Sequence, residues 1–175
     1  SIKKLLERRD SWTSSDMIWI FVDSYHDKRT GFYFGINAGG TLYDGTLYND
    51  DWDSDTWDGV WEGKAIRDSL GWTAELRIPY SQLRFQRQKT HLWGINFKRE
   101  IARRNESDYL VRTPSNGSGF VSRFIDLVGI EAVTPPPRLE VLPYVTTRAE
   151  YMSHEAADPF NDGTHLGAGM GADLK

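Results

Sequence analysis

Carboxylates and indoles crowd together between Asn49 and Asp58 (NDDWDSDTWD), where ten residues hold five Asp, two Trp and no aliphatic side chain. Asp51, Asp53 and Asp55 stand at alternate positions, and Glu62 follows eleven residues after Asp51. An EF-hand calcium loop needs oxygen ligands at positions one, three, five and twelve, and a glycine at position six. Here Thr56 takes the glycine's place, and Val60-Trp61-Glu62 reads as the start of a strand. The spacing therefore argues against an EF-hand. It leaves a calcium site of another kind built from Asp51, Asp53 and Asp55, or a solvated acidic loop, which is the favoured reading. Trp52 and Trp57, flanked by aspartates, are candidates for exposed stacking surfaces, with Asn49 beside them. Trp12, in the polar stretch Ser11–Asp16 (SWTSSD), is a third.

Other chemistry finds little support. The chain has no cysteine, which removes disulfides, thiolate metal sites and a Cys nucleophile. No serine elbow, zinc-binding His-Glu helix or phosphate-cradling glycine loop occurs. His26, His91, His154 and His165 are scattered singly and read as surface or turn residues. Carboxylates are plentiful, but glycoside hydrolysis needs two of them held across a cleft at a set separation, and abundance in one loop does not supply that. A net charge of −4 gives no concentrated basic face for nucleic acid. Seven Trp, eight Tyr and eight Phe make the chain rich in rings that serve cores, stacking platforms and membrane-interface belts alike.

The elements that must position these residues are strands. Met17–Val22 is an unbroken apolar run, short and rich in Ile, Trp, Phe and Val, which predicts a strand buried on both faces. After a charged turn, Phe32, Phe34 and Ile36 recur at every second position and complete a central antiparallel hairpin. Residues 41–49 alternate loosely, and 72–80 alternate cleanly, with Trp72, Ala74, Leu76 and Ile78 on one side. Pro79 ends that strand, and Ser81 is placed to cap a single helical turn. Residues 92–101 put Trp93, Ile95, Phe97, Arg99 and Ile101 on one face, followed by a charged loop (102–108), a short strand (109–113) and a last strand (120–130). Trp19, Trp72 and Trp93, set among apolar neighbours, are assigned to the core. No sustained helical period appears, so the expected fold is an all-β antiparallel sandwich over residues 1–131.

Composition changes at residues 132–138 (AVTPPPR), a proline-rich linker. Beyond it, residues 139–175 hold two long alternating stretches: Leu139, Val141, Pro143, Val145, Thr147, Ala149 and Tyr151, then Leu166, Ala168, Met170, Ala172 and Leu174. Apart from Leu142, the intervening positions are polar or glycine. Two such stretches match the first hairpin of a transmembrane β-barrel or a long amphipathic hairpin in water. The chain opens on Ser1-Ile2-Lys3-Lys4 with no initiator Met, closes within the second alternating stretch, and reads as a fragment of something longer.

Arg8–Asn37, the segment Gly71-Trp72-Thr73-Ala74-Glu75-Leu76-Arg77-Ile78-Pro79, and Trp93-Gly94-Ile95-Asn96-Phe97 with Arg103-Arg104-Asn105-Glu106 together resemble the family 9 type of carbohydrate-binding module. Such modules stand at the front of certain bacterial outer-membrane β-barrel proteins, and Pro136–Val145 looks like the passage from module to barrel. The resemblance implies a sandwich whose first strands precede Ser1, a location at the outer membrane facing periplasm or exterior, and a part in glycan capture or carbohydrate catabolism. It also implies a sugar clamped between aromatic rings, supported by polar side chains and calcium. Association with O-glycosyl hydrolases is by attachment, so the expected activity is non-catalytic binding of an oligosaccharide or polysaccharide. The alternative is a structural or gating domain that packs on the barrel mouth and takes no sugar.

Overall fold

The structure, a computed structural model, describes residues 2–135, 141–151 and 165–174. It divides into two compact units, Ser1–Pro136 and Pro137–Lys175. Apart from two single 3-10 turns, every regular element among the described residues is a β-strand. The first unit contains β1 (Met17–Asp23), β2 (Gly31–Asn37), β3 (Leu42–Tyr48), β4 (Trp52–Ser54), β5 (Glu62–Arg67), β6 (Trp72–Arg77), β7 (Thr90–Ile101), β8 (Glu106–Tyr109) and β9 (Ile125–Glu131). The second contains β10 (Val141–Glu150) and β11 (His165–Leu174).

A seven-stranded, curled antiparallel sheet forms the body of the first unit, in the order β4-β3-β2-β1-β7-β8. The long β7 carries β9 along its first half and β8 at its far end. The apolar run of β1 explains its place at the centre. Ile20 and Val22 lie on one face of the sheet with Phe32 and Phe34 of β2, packed against Trp61, Leu83, Phe85 and the β5–β6 hairpin. Trp19 and Phe21, one residue out of phase, lie on the opposite face with Tyr33, Leu47, Phe120, Val121 and Phe124. Full burial of one such side chain is worth about 1.5–3 kcal/mol, so a strand apolar at every position is most stable where both of its faces are covered.

Residues 2–16 form no regular element, yet they are tied to the sheet. Asn37 donates through Nδ2 to the Leu5 carbonyl at 2.8 Å, the Leu5 N–H donates to Ser15 Oγ, and the Asp10 N–H donates to the Leu42 carbonyl.

The structure departs from the sequence pattern at several points. The acidic stretch yields β4, a three-residue edge strand paired to β3, rather than loop throughout. The turn near Ser81 runs from Tyr80 to Gln82 with Pro79 before it and no side-chain cap. β8 lies at Glu106–Tyr109, starting within the charged loop expected at 102–108 and ending where the short strand expected at 109–113 would begin, because pairing to the end of β7 matters more there than the weak β-propensity of charged residues. The last strand is preceded by a 3-10 turn at Val121–Arg123. Along β7 the expected inside and outside are mixed: a register shift between His91 and Trp93 breaks strict alternation, Asn96 is buried, and Phe97 is partly exposed. Asn96 is satisfied there by the Val111 backbone, with which it exchanges two hydrogen bonds of 2.9 and 3.0 Å. His91, expected at the surface, is buried, with Nε2 3.0 Å from the Val133 carbonyl.

The second unit is a two-stranded antiparallel sheet whose register runs from Val141 opposite Leu174 to Glu150 opposite His165. Directly opposed residues share a face, so Pro143, Val145, Thr147 and Ala149 stand with Ala172, Met170, Ala168 and Leu166. Tyr144, Thr146, Arg148 and Glu150 share the other face with Gly171, Gly169, Gly167 and His165. Val145 and Met170 are 76% and 89% exposed. Leu139, His154 and residues 136–138 of the proline run lie outside the described residues.

Candidate functional site

The sheet face that carries Trp19 and Tyr33 is left partly uncovered, and a cleft of about 390 Å³ opens on it. Two glycines create its floor. Trp19 on β1 is directly opposite Gly35 on β2, and Tyr33 on β2 is directly opposite Gly45 on β3. Each ring occupies the space its partner's side chain would fill: a Cβ on Gly35 would lie 2.4 Å from the Trp19 ring, and one on Gly45 2.4 Å from the Tyr33 hydroxyl. The rings therefore lean over the sheet instead of standing away from it. Tyr43 continues the floor, 5.5 Å from Trp19 between ring centres, with its hydroxyl donating to the Ser11 carbonyl at 2.9 Å.

A second group of rings forms the far side. Phe21, Phe120 and Tyr109 meet edge to face, at 4.9 Å and 6.1 Å. Phe120 belongs to a segment held by Asp50, whose carboxylate accepts from the N–H groups of Phe120 and Ser122 and from Ser122 Oγ. These hydrogen bonds outweigh the opposing effect of burial and hold the Asp50 carboxyl below its usual range. Gly119 adds an N–H to Asp51 Oδ2 at 3.0 Å.

Carboxylates supply one wall. β4 pairs with β3 so that Asp53 is opposite Leu47, a residue of the cleft face, and the two-residue period of a strand sends Asp51 and Asp55 the same way. Asp10 contributes from the chain before β1, its carboxyl raised chiefly by burial. Burial, together with the charges of Asp53, Asp55, Asp10 and Asp44, drives the Tyr33 phenol far above its ordinary range, so it stays a neutral hydroxyl. Lys98 is the cleft's one cation among the described residues. Burial works against its charge, but an ion pair with Glu100 and the adjoining Tyr109 outweigh that and raise its pKa.

The residues singled out in the sequence fall in different places. Trp12 lines the cleft and is 71% exposed. Asp51, Asp53 and Asp55 line it too. Trp52 points to the other side of its strand, 61% exposed and edge-on to Tyr48, outside the cleft. Trp57 packs on Phe32 at 5.0 Å and Phe34 at 6.1 Å, on the opposite face of the sheet. Asn49 is a turn residue with φ 51°, a conformation Asn tolerates, and it is not part of the cleft wall. Trp93 is core and Trp72 half-buried, whereas Trp19 is half-buried and forms cleft floor. Its indole N–H is sealed off without a partner, so the ring offers a ligand its face.

For a calcium ion, Asp51, Asp53 and Asp55 do not converge: the described acidic groups whose ligand atoms lie within 4.8 Å of one another are Asp10, Asp44 and Asp58. That convergence already contains a cation. Arg9 reaches Asp44 at 2.5 Å, Asp10 at 3.6 Å and Asp58 at 3.9 Å. Neither set fits a calcium site.

Trp19, Tyr33, Tyr43, Tyr109, Phe120 and Lys98 were not legible as site residues. The available signal was glycine at Gly35 and Gly45, inside strands where a side chain was expected, which marks close approach by another group. No protein-family model, curated protein or solved structure matches the chain.

Proposed function

We propose that the first unit is a non-catalytic carbohydrate-binding module, a sandwich of the family 9 kind, attached to an outer-membrane β-barrel that begins with β10 and β11. The observation that carries the reading is the cleft: Trp19 and Tyr33 over paired glycines, walled by Asp51, Asp53 and Asp55. A pyranose presents C–H groups that pack on aromatic faces and hydroxyls that need paired polar partners. A volume of about 390 Å³ suits one or two sugar rings better than a whole polymer, so a glycan would enter by an end or lie across the opening.

The barrel part of the reading draws on the face shared by Val145, Ala149, Leu166 and Met170, apolar and exposed on a hairpin of ten-residue strands. That length and alternation suit a lipid-facing wall and support the proposed location of the module at the outer membrane, facing periplasm or exterior. Co-sedimentation of the chain with lipid vesicles, weakened by replacing Val145 and Met170 together with Asp, tests this part.

The experiment for binding is a glycan array probed with the intact chain, followed by calorimetry on the best hit. Retained binding by the Trp52→Ala variant and weakened binding by Trp12→Ala support the cleft as the site; silence across the array removes the proposal. The competing reading, a structural or gating domain on the barrel mouth with no sugar ligand, is favoured by the exposure of Trp52, Val60 and Leu70 outside the cleft. It predicts silence on the array and protection of Trp52 in the assembled barrel.

A further inference from the structure

The charges around the cleft are one-sided. Asp51, Asp53 and Asp55 descend from β4, and Asp10 stands at the edge beside Trp12. Two of these carboxylates have partners that already satisfy them in part: Asp51 accepts the Gly119 N–H, and Asp10 accepts the Asp44 N–H and meets Arg9. Asp53 and Asp55 are in no ion pair among the described residues. On the opposite side, the Lys98 ammonium is bound to Glu100 and lies 5.5 Å from the centre of the Tyr109 ring. Its charge is offset by Glu100 of its own strand. What faces a ligand is therefore an aromatic floor with uncompensated negative charge along one wall.

Such a surroundings discriminates between sugars by charge. A uronate, sulfate or phosphate brought against Asp53 and Asp55 meets like charge, while the cleft's cation, Lys98, is already paired with Glu100. A neutral sugar gains ring stacking and hydrogen bonds alone. A protonated amine gains in addition from two carboxylates and from the electron-rich ring faces of Trp19 and Tyr33, which attract cations. Resting on the reading of the cleft as a glycan site, we infer that its preferred ligand is a sugar carrying a protonated amine, a deacetylated hexosamine, and that Asp53 and Asp55 set this preference. Acetylation of the amine removes the charge and with it the advantage.

The test is calorimetry of the full chain with four oligosaccharides of equal length: glucosamine, N-acetylglucosamine, glucose and galacturonate. It is read at about pH 6, below the ~7.7–8.0 at which an ordinary α-amino group titrates. The expected result is glucosamine binding at least tenfold tighter than glucose or N-acetylglucosamine, galacturonate weakest, and a preference that shrinks with added salt. In Asp53→Asn/Asp55→Asn the ratio of glucosamine to glucose affinity should collapse toward one, with unchanged thermal unfolding showing that the fold survives. Equal affinity for glucosamine and glucose overturns the charge preference while leaving the glycan site standing. Preference for galacturonate overturns it outright, and so does failure of all four sugars to bind, which removes the glycan site as well only when the whole array is also silent. A glucosamine preference that survives the double substitution assigns the selectivity elsewhere and also overturns the inference.

Discussion

Trp19 lies across Gly35, its directly opposed neighbour on the adjacent strand, with ring carbons where a side chain would be. The pair links backbone register to the floor of the cleft. A glycine in the middle of a strand costs stability through lost packing and added unfolded-state entropy. Here that cost is offset by a ring brought down over the sheet, and the same exchange recurs at Tyr33 and Gly45.

Gly35→Ala should lift the Trp19 ring from the floor. The added carbon would stand 2.4 Å from the ring, closer than real contacts allow, so either ring or strand must shift. The expected cost is about 1–3 kcal/mol in denaturant unfolding, with a changed tryptophan emission spectrum and, for the glycan ligand proposed above, at least tenfold weaker binding. Wild-type unfolding and emission would show that the ring does not depend on the glycine.

The exposed and interior indoles should separate cleanly. Trp12→Ala, at a residue 71% exposed, is expected to change stability by less than about 0.5 kcal/mol while weakening ligand binding tenfold or more. Trp57→Ala removes contacts with Phe32 and Phe34 and should destabilise by roughly 2 kcal/mol, a discounted value for a ring only partly buried. Urea unfolding and calorimetry on the two variants check both halves.

Arg9 should behave as a structural counter-ion. Asp44 is fully buried, and its carboxylate is met by Arg9 and by the Gly59 N–H, both at 2.5 Å. Arg9→Met leaves that carboxylate short of its cation and should destabilise the first unit by about 2–3 kcal/mol, reduced from the value for a wholly buried pair because Arg9 is about one third exposed. Arg9→Met combined with Asp44→Asn should recover part of the loss, measured as a double-mutant cycle in urea.

Acid should loosen the wall that carries Phe120. The folded Asp50 carboxyl titrates below its ordinary value of 3.8, because hydrogen bonds from Ser122, Phe120 and Val121 outweigh burial. A depressed carboxyl contributes stability that is whole above the unfolded value and is lost as pH falls through the folded one. Amide-exchange protection at Phe120 and Ser122 should thus be constant near neutrality and decline below pH 3.8. In Asp50→Asn it should already be low at pH 7 and show no such decline.

Composition and periodicity alone determined that the chain is all-β, that Met17–Val22 is a central strand and that β10 and β11 carry apolar side chains at every second position, because a side-chain period of two is written directly in the order of residues. The same period set Asp51, Asp53 and Asp55 on a single side. Which side that was could not be read locally: it depends on Asp53 pairing with Leu47, and a slip of one residue would have turned the carboxylates outward and Trp52 in. Trp57 and Trp19 exchanged their expected roles for a similar reason, since only the tertiary neighbours decide whether the Trp57 ring, just past β4, meets Phe32 and whether the Trp19 ring on β1 stands above a glycine. The short β8 formed from charged residues because β7 offered it an unpaired edge. Alternation is a property of one strand and is legible in it; register and the choice of covering layer belong to pairs of strands, even where the two follow one another in the chain as β3 and β4 do, and only the folded sheet settled them.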